Sequence, residues 1–202
     1  MSNGVTGNYV SDSAILAWVQ AEQERQYTQL GASMDFETAR GQMATDAANI
    51  KQDMQKATKD PSIIPKLNDE IEAFQKNYGD VPEFADVTSK IAEFADTVSA
   101  EADDMSTLKD RQAAWDGLPA PTGDDPDTRG PRPEAPGNLD KDDVTNWAGA
   151  LDKVLDSSNQ NEQLGMIHIN EIKSTIDHTA EMASQLIKSS NDTTKFAINN
   201  FA

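Results

Sequence analysis

The stretch from Lys141 to Asn199 constrains this chain more than any other. It holds no proline and repeats apolar side chains at helical spacing. Asp140 ahead of it is a good N-cap, and Asp143 stands three positions on, close to a capping box. One unbroken helix over this stretch would be roughly 90 Å long at about 1.5 Å per residue. A chain of 22.0 kDa cannot wrap such a helix into a sphere. The expected fold class is therefore all-α: an elongated antiparallel helical hairpin, or coiled coil, of long N- and C-terminal helices.

Two interleaved sets of positions define the seam of this last helix. One runs Val144, Leu151, Ser158, Gly165, Ile172, Thr179, Leu186, Thr193. The other runs Ala148, Leu155, Glu162, Ile169, Ile176, Ala183, Ser190, Ala197. Both step by seven, the repeat of helices that supercoil around one another. Ser158, Glu162 and Gly165 interrupt the apolar run, and a hinge is expected there.

A partner helix is legible at the other end. Ser11 and Asp12 are N-cap residues ahead of Ala14, Ile15, Leu16, Ala17, Trp18 and Val19. One stripe then follows Leu16, Val19, Gln23, Tyr27, Leu30 and Met34. A second follows Ala32, Phe36, Ala39, Met43, Ala47, Ile50 and Met54. Their offset near Gly31 predicts a turned apolar face or a bend. Pro61 disfavours helix at Asp60, so the helix should stop near Lys59.

Between the long helices the organisation is finer. The reading divides the chain into a polar, disordered lead (1–11), a long helix (12–59) and a central helical region (60–117). A Pro/Gly-rich loop (118–139) and the C-terminal helix (140–202) complete it. Within the centre, a short helix is expected over Lys66–Asn77, with Leu67, Ile71 and Phe74 on one face. A longer one is expected over Glu83–Asp116, with an interruption near Asp103 and Asp104. Pro119, Pro121, Pro126, Pro131, Pro133 and Pro136 rule out regular structure between Gly117 and Asn138.

Composition narrows the function classes. Only 6% of residues are aromatic, against 37% hydrophobic in all, which suits thin helix–helix seams better than a thick core. The formal net charge of −18 repels phosphate backbones and anionic lipid, so no nucleic acid is expected as a partner. There is no cysteine, which excludes disulfides, thiol catalysis and Cys-ligated zinc. No apolar run reaches the about 18 residues of a membrane span. Met1–Ser13 lacks the basic and apolar regions of a cleavable signal.

No catalytic constellation emerges, and no enzyme activity, cofactor or metal is expected. His168 and His178 lie ten positions apart, about 15 Å along a helix, too far to share a metal. His178 and Glu181 form half of a carboxylate metal motif without its companions. Asp125–Gly130 begins like a calcium loop, but Arg129 and Pro136 occupy positions that need oxygen ligands. Asn191-Asp192-Thr193 is a glycosylation sequon of the kind that arises by chance.

Two segments carry a resemblance. Ala14-Ile15-Leu16-Ala17-Trp18-Val19-Gln20 opens a long polar helix. Asn138-Leu139-Asp140-Lys141, Ala150-Leu151-Asp152, Ile167-His168-Ile169 and Leu186-Ile187 with the apolar terminus mark the other. Over about residues 12–58 and 138–202 the layout resembles the type III secretion needle-tip and filament proteins, of the EspA and SseB kind. The central short helix and Pro-rich loop depart from that pattern. The resemblance implies a secreted structural subunit at the bacterial surface, exported without a cleaved signal. It implies a cytosolic export chaperone, the secretion needle subunit and translocator proteins as partners, and assembly as a homo-oligomer. The residues expected to carry assembly are Ile15, Leu16, Val19, Leu151, Leu155, Ile169, Ile172, Ile176, Leu186, Ile187, Phe196 and Ile198. The rival expectation is an intracellular helical adaptor or chaperone-like binding module.

Overall fold

The computed structural model describes residues 12–118, 130–134 and 139–201, and every regular element among them is helical. The polar lead over 1–11 and most of the Pro-rich loop lie outside the described residues. Helix α1 spans Asp12–Ala57, α2 Ile64–Tyr78, α3 Ala85–Ala92, α4 Ala95–Asp116 and α5 Lys141–Phe201. Single 3-10 turns, Pro61–Ile63 and Pro82–Phe84, precede α2 and α3. The all-α hairpin expected from the two long periodic segments is what forms, with α1 and α5 packed antiparallel. The contacts fall into two compact units. One takes α1 through Thr38 with α5 from Asn161; the other takes Ala39–Gln160.

In the second unit the core is a set of helical stripes. Met43, Ala47, Ile50, Met54 and Ala57 come from α1, and Ile64, Leu67, Ile71, Phe74 and Tyr78 from α2. Phe84, Val87, Ile91 and Val98 close it from the α3–α4 side, and Val144, Trp147, Ala148, Leu151 and Leu155 from α5. Phe74, Tyr78 and Phe84 stack in sequence, with ring centroids 4.9 and 6.0 Å apart and tilted geometry. Lys51 of α1 meets Asp152 of α5 at 2.5 Å.

Asp60 shows why α1 stops where it does. Its backbone is extended (φ −134°, ψ 96°), as a residue before proline requires. Its carboxylate accepts from the Ser62 backbone N–H at 3.0 Å, capping the turn that follows. The Ser62 hydroxyl, which donates to it at 2.6 Å, and that N–H hold its pKa below the usual carboxylate range.

One expected helix is two. The break falls at Glu93–Phe94, between α3 and α4, while Asp103 and Asp104 sit inside unbroken α4. Its physical cause is Trp147 on α5. The indole Nε1–H donates to the Lys90 carbonyl at 2.6 Å, and Phe94 stacks edge-on against the same ring at 5.6 Å. The end of α3 is thereby capped by a side chain from another helix.

The described part of the Pro-rich loop folds back onto the end of α4. Arg132 pairs with Asp116 at 2.9 Å through a forked contact. Trp115 donates to the Gly130 carbonyl at 3.1 Å, and Gln112 to that of Pro133 at 3.0 Å. Gly130 takes φ +73°, a left-handed conformation natural only to glycine.

Candidate assembly interface

The first unit pairs two helices only, so each shows most of its circumference. On α5 the buried or half-buried positions are Glu162, Gly165, Ile169, Ile172, Ile176, Thr179 and Ala183. They alternate steps of three and four, the expected heptad seam. Val144, Ala148, Leu151 and Leu155 follow the same spacing in the second unit. Beyond Ala183 the next inward residue is Ile187, while Leu186 is exposed. The step from Ile176 onward is 3-4-4, a phase change that relaxes left-handed winding.

On α1 the inward line differs from the hydropathy stripe. Ile15, Val19, Gln26, Leu30, Ser33 and Glu37 are buried or half-buried, whereas Leu16, Tyr27 and Met34 are exposed. The seam thus lies about 60° round the helix from the stripe: Val19 and Leu30 belong to both, and Leu16, Tyr27 and Met34 turn outward.

Polar side chains occupy that inward line, with Gln26 Oε1 buried and unpaired. Gln26 is only 5% exposed. Its Nε2 donates to Glu22 Oε1 at 3.0 Å and to Thr179 Oγ1 of α5 at 3.3 Å. The Thr179 hydroxyl in turn donates to its own helix at the Thr175 carbonyl, 2.8 Å away. Arg25 also holds Glu22, and its bond, with that from Gln26, lowers the pKa of Glu22. Further along, Glu37 lies against Gly165: a Cβ there would fall 1.9 Å from Glu37 Oε1. The glycine that reads as a hinge is helical, and it makes room for a carboxylate.

The residues expected to carry assembly therefore separate. Leu151 and Leu155 are core residues of the second unit. Val19, Ile169, Ile172 and Ile176 are buried in the seam of the first, with Ile15 and Ile187 half-buried at its margins. Leu16, Leu186 and Phe196 face outward, Phe196 at 72% exposure. Ile198 lies in α5, and its side chain is outside the described residues. Leu164, Ile167 and Met182, all exposed, stand outside the expected assembly residues; Trp18, exposed too, lies in the apolar run Ala14–Val19 that the sequence marks. Their hydrophobicity was visible, but their outward direction depends on the seam's phase.

His168 and His178 each sit 3.8 Å from a glutamate one turn on, exposed. Among the described residues no group of three His, Cys, Asp or Glu side chains is placed to hold a metal. A cleft of about 180 Å³ in the second unit is lined by Asp46, Asn49, Glu70, Phe74 and Asn77. Tyr78 donates to Asp46 at 2.7 Å, and Lys66 pairs with Glu70 Oε1 at 2.7 Å, while Glu70 Oε2 is buried without a hydrogen-bond partner. Burial and the Asp46 carboxylate push the Tyr78 hydroxyl up to about 12. No helix among the described residues is long and apolar enough to cross a membrane.

What fold and surface define together is a helical hairpin with outward apolar faces. A comparison with protein-family models, curated proteins and solved structures finds no match to the chain.

Proposed function

We propose that this chain is a structural subunit that assembles through its paired helices, a secreted needle-tip or filament protein of the type III secretion kind. One observation carries the reading. Across its two helices the first unit turns Leu16, Trp18, Tyr27, Met34, Leu164, Met166, Ile167, Met182, Leu186 and Phe196 toward solvent, while Gln26 and Thr179 occupy its seam. A two-helix unit that spends seam positions on polar groups and leaves large apolar side chains outside is suited to receive further helices. Homo-oligomers, the needle subunit, translocators and an export chaperone are the partners this role requires.

Electron microscopy of the concentrated chain tests it, with rods or rings expected. In the producing bacterium the protein should accumulate in the medium, and deleting its first dozen residues should stop this. A chain that stays inside the cell and monomeric at every concentration refutes the proposal and leaves the adaptor reading.

A further inference from the structure

We infer that the segment 130–134, seated on the end of α4, is a strap that copies of this chain exchange, Arg132 of one docking on α4 of the next. This rests on the assembly reading above and names a contact it uses.

The seat is little more than one turn of helix. Gln112, Trp115 and Asp116 stand three and four positions apart, so they project from one face at the end of α4. Each takes a different group of the strap. The Trp115 indole N–H donates to the Gly130 carbonyl at 3.1 Å, and the Gln112 amide to the Pro133 carbonyl at 3.0 Å. Between them the Arg132 guanidinium forks onto both Asp116 oxygens, at 3.1 and 2.9 Å. An aromatic donor and a charged partner on a rigid face are how extended proline-rich peptides are recognised.

The helix end selects the cation. The last turn of α4 holds no basic residue and closes on Asp116. The negative end of the helix dipole and that carboxylate both favour a guanidinium. The strap is shaped in advance. Pro131 and Pro133 fix φ, and Pro133 favours extended backbone at Arg132 before it. Little freedom is lost on docking, whether in the same chain or in another.

Exchange sacrifices no contact. Every bond made within the chain is remade between chains, which is why swapped elements are a low-cost route to association. What differs is concentration. A strap tethered beside its own seat competes at an effective concentration on the order of millimolar. A dilute chain therefore keeps its strap, and copies packed side by side exchange it. Salt weakens the Arg132–Asp116 pair equally in both arrangements, so it does not by itself shift the exchange. Reach fixes where the neighbour stands. Residues 117–129 can extend over about 45 Å, but the strap ends only about 17 Å of extended chain from Leu139, buried at the head of α5. The neighbour's α4 must therefore end near the head of this copy's α5.

Reversal of the charges tests this on the full chain. Asp116→Arg sets an arginine against Arg132, and Arg132→Asp sets an aspartate against Asp116, so neither variant fastens its own strap. Both side chains are half exposed, so the helical melt should not change. Mixed, the two variants restore the Arg–Asp pair only between chains, and in both directions. Sedimentation at about 100 µM should show a mixed oligomer, with either variant alone associating about tenfold or more weakly. The chain carrying both changes regains the pair within itself and should sediment as wild type. A mixture no more associated than its components, beside a wild-type chain that still forms oligomers, overturns the exchange and leaves assembly standing. A wild-type chain monomeric up to about 1 mM, where the tethered strap loses its advantage, overturns the assembly reading itself.

Discussion

At Asp53 a nearly buried carboxylate is held by two lysines, tying α1 to the start of α2. Lys56 reaches it at 2.7 Å and Lys66 at 2.5 Å, and only 9% of the Asp53 side chain is exposed. The bonds from Lys56 and Lys66 lower its pKa from the ordinary 3.8. A depressed folded value contributes stability above the unfolded value and loses it as pH falls through the folded one. The window is therefore below about pH 4. Asp53→Asn should cost about 1–2 kcal/mol at neutral pH, since both lysines remain in water. Urea unfolding should show the variant closing on wild type as pH drops below that window. The Glu37–Gly165 contact gives a second test. Gly165→Ala alone should be near neutral, its gain in helix propensity offset by displacement of the Glu37 carboxylate. On a Glu37→Ala background the same change should stabilise by about 1 kcal/mol. Equal effects on both backgrounds would show that the two side chains do not interact.

Among the elements, α3 depends most on another part of the chain. It spans 8 residues, too short to persist alone in water. Trp147 both covers its flank and caps its Lys90 carbonyl. Trp147→Phe keeps the ring and removes the donor, which should cost about 1–2 kcal/mol. Amide exchange should rise in α3 more than in α2, whose stripe of five buried residues does not involve the indole donor. Uniform exchange across both helices would contradict the capping role. Helix α5 contrasts with α3, because its seam recurs over many turns and no single contact defines it. This difference sets what sequence reasoning can reach. A repeat of seven was legible from Val144 to Ala183 because one helix face is enough to write it. The break at Phe94 was not, because nothing local to 83–116 marks it.

For the whole molecule, net charge opposes the approach of two copies. Each copy carries a formal −18, and like-charged chains repel over roughly the Debye length, about 10 Å at 0.1 M salt. Raising salt from about 20 mM to 0.5 M should strengthen self-association, measured as a rise in weight-average sedimentation coefficient at fixed protein concentration. Weaker association at high salt would mean that ion pairs rather than apolar faces hold the copies together. Substitutions at Ile172 or Ile176 cannot make this distinction. Both are buried, at 7 and 6% exposure, so a charge there disrupts the hairpin before it reports on assembly.

The sequence alone determined that the chain is helical, where α1, α2 and α5 lie to within a few residues, and which face of α5 turns inward. Those properties follow from periodicity, caps and prolines, which act within a few turns of their own residues. Only the tertiary structure decided the phase of α1 as far as Glu37; beyond it Ala39, Met43, Ala47, Ile50 and Met54 turn inward as their spacing predicts. Hydropathy favours Leu16, Tyr27 and Met34 as its inner line, but the partner presents Thr179 and Gly165, and Gln26 and Glu37 meet them. A rotation of about 60° sends three large apolar side chains into solvent. No local rule selects it, because which side of a helix is the inside depends on what stands opposite.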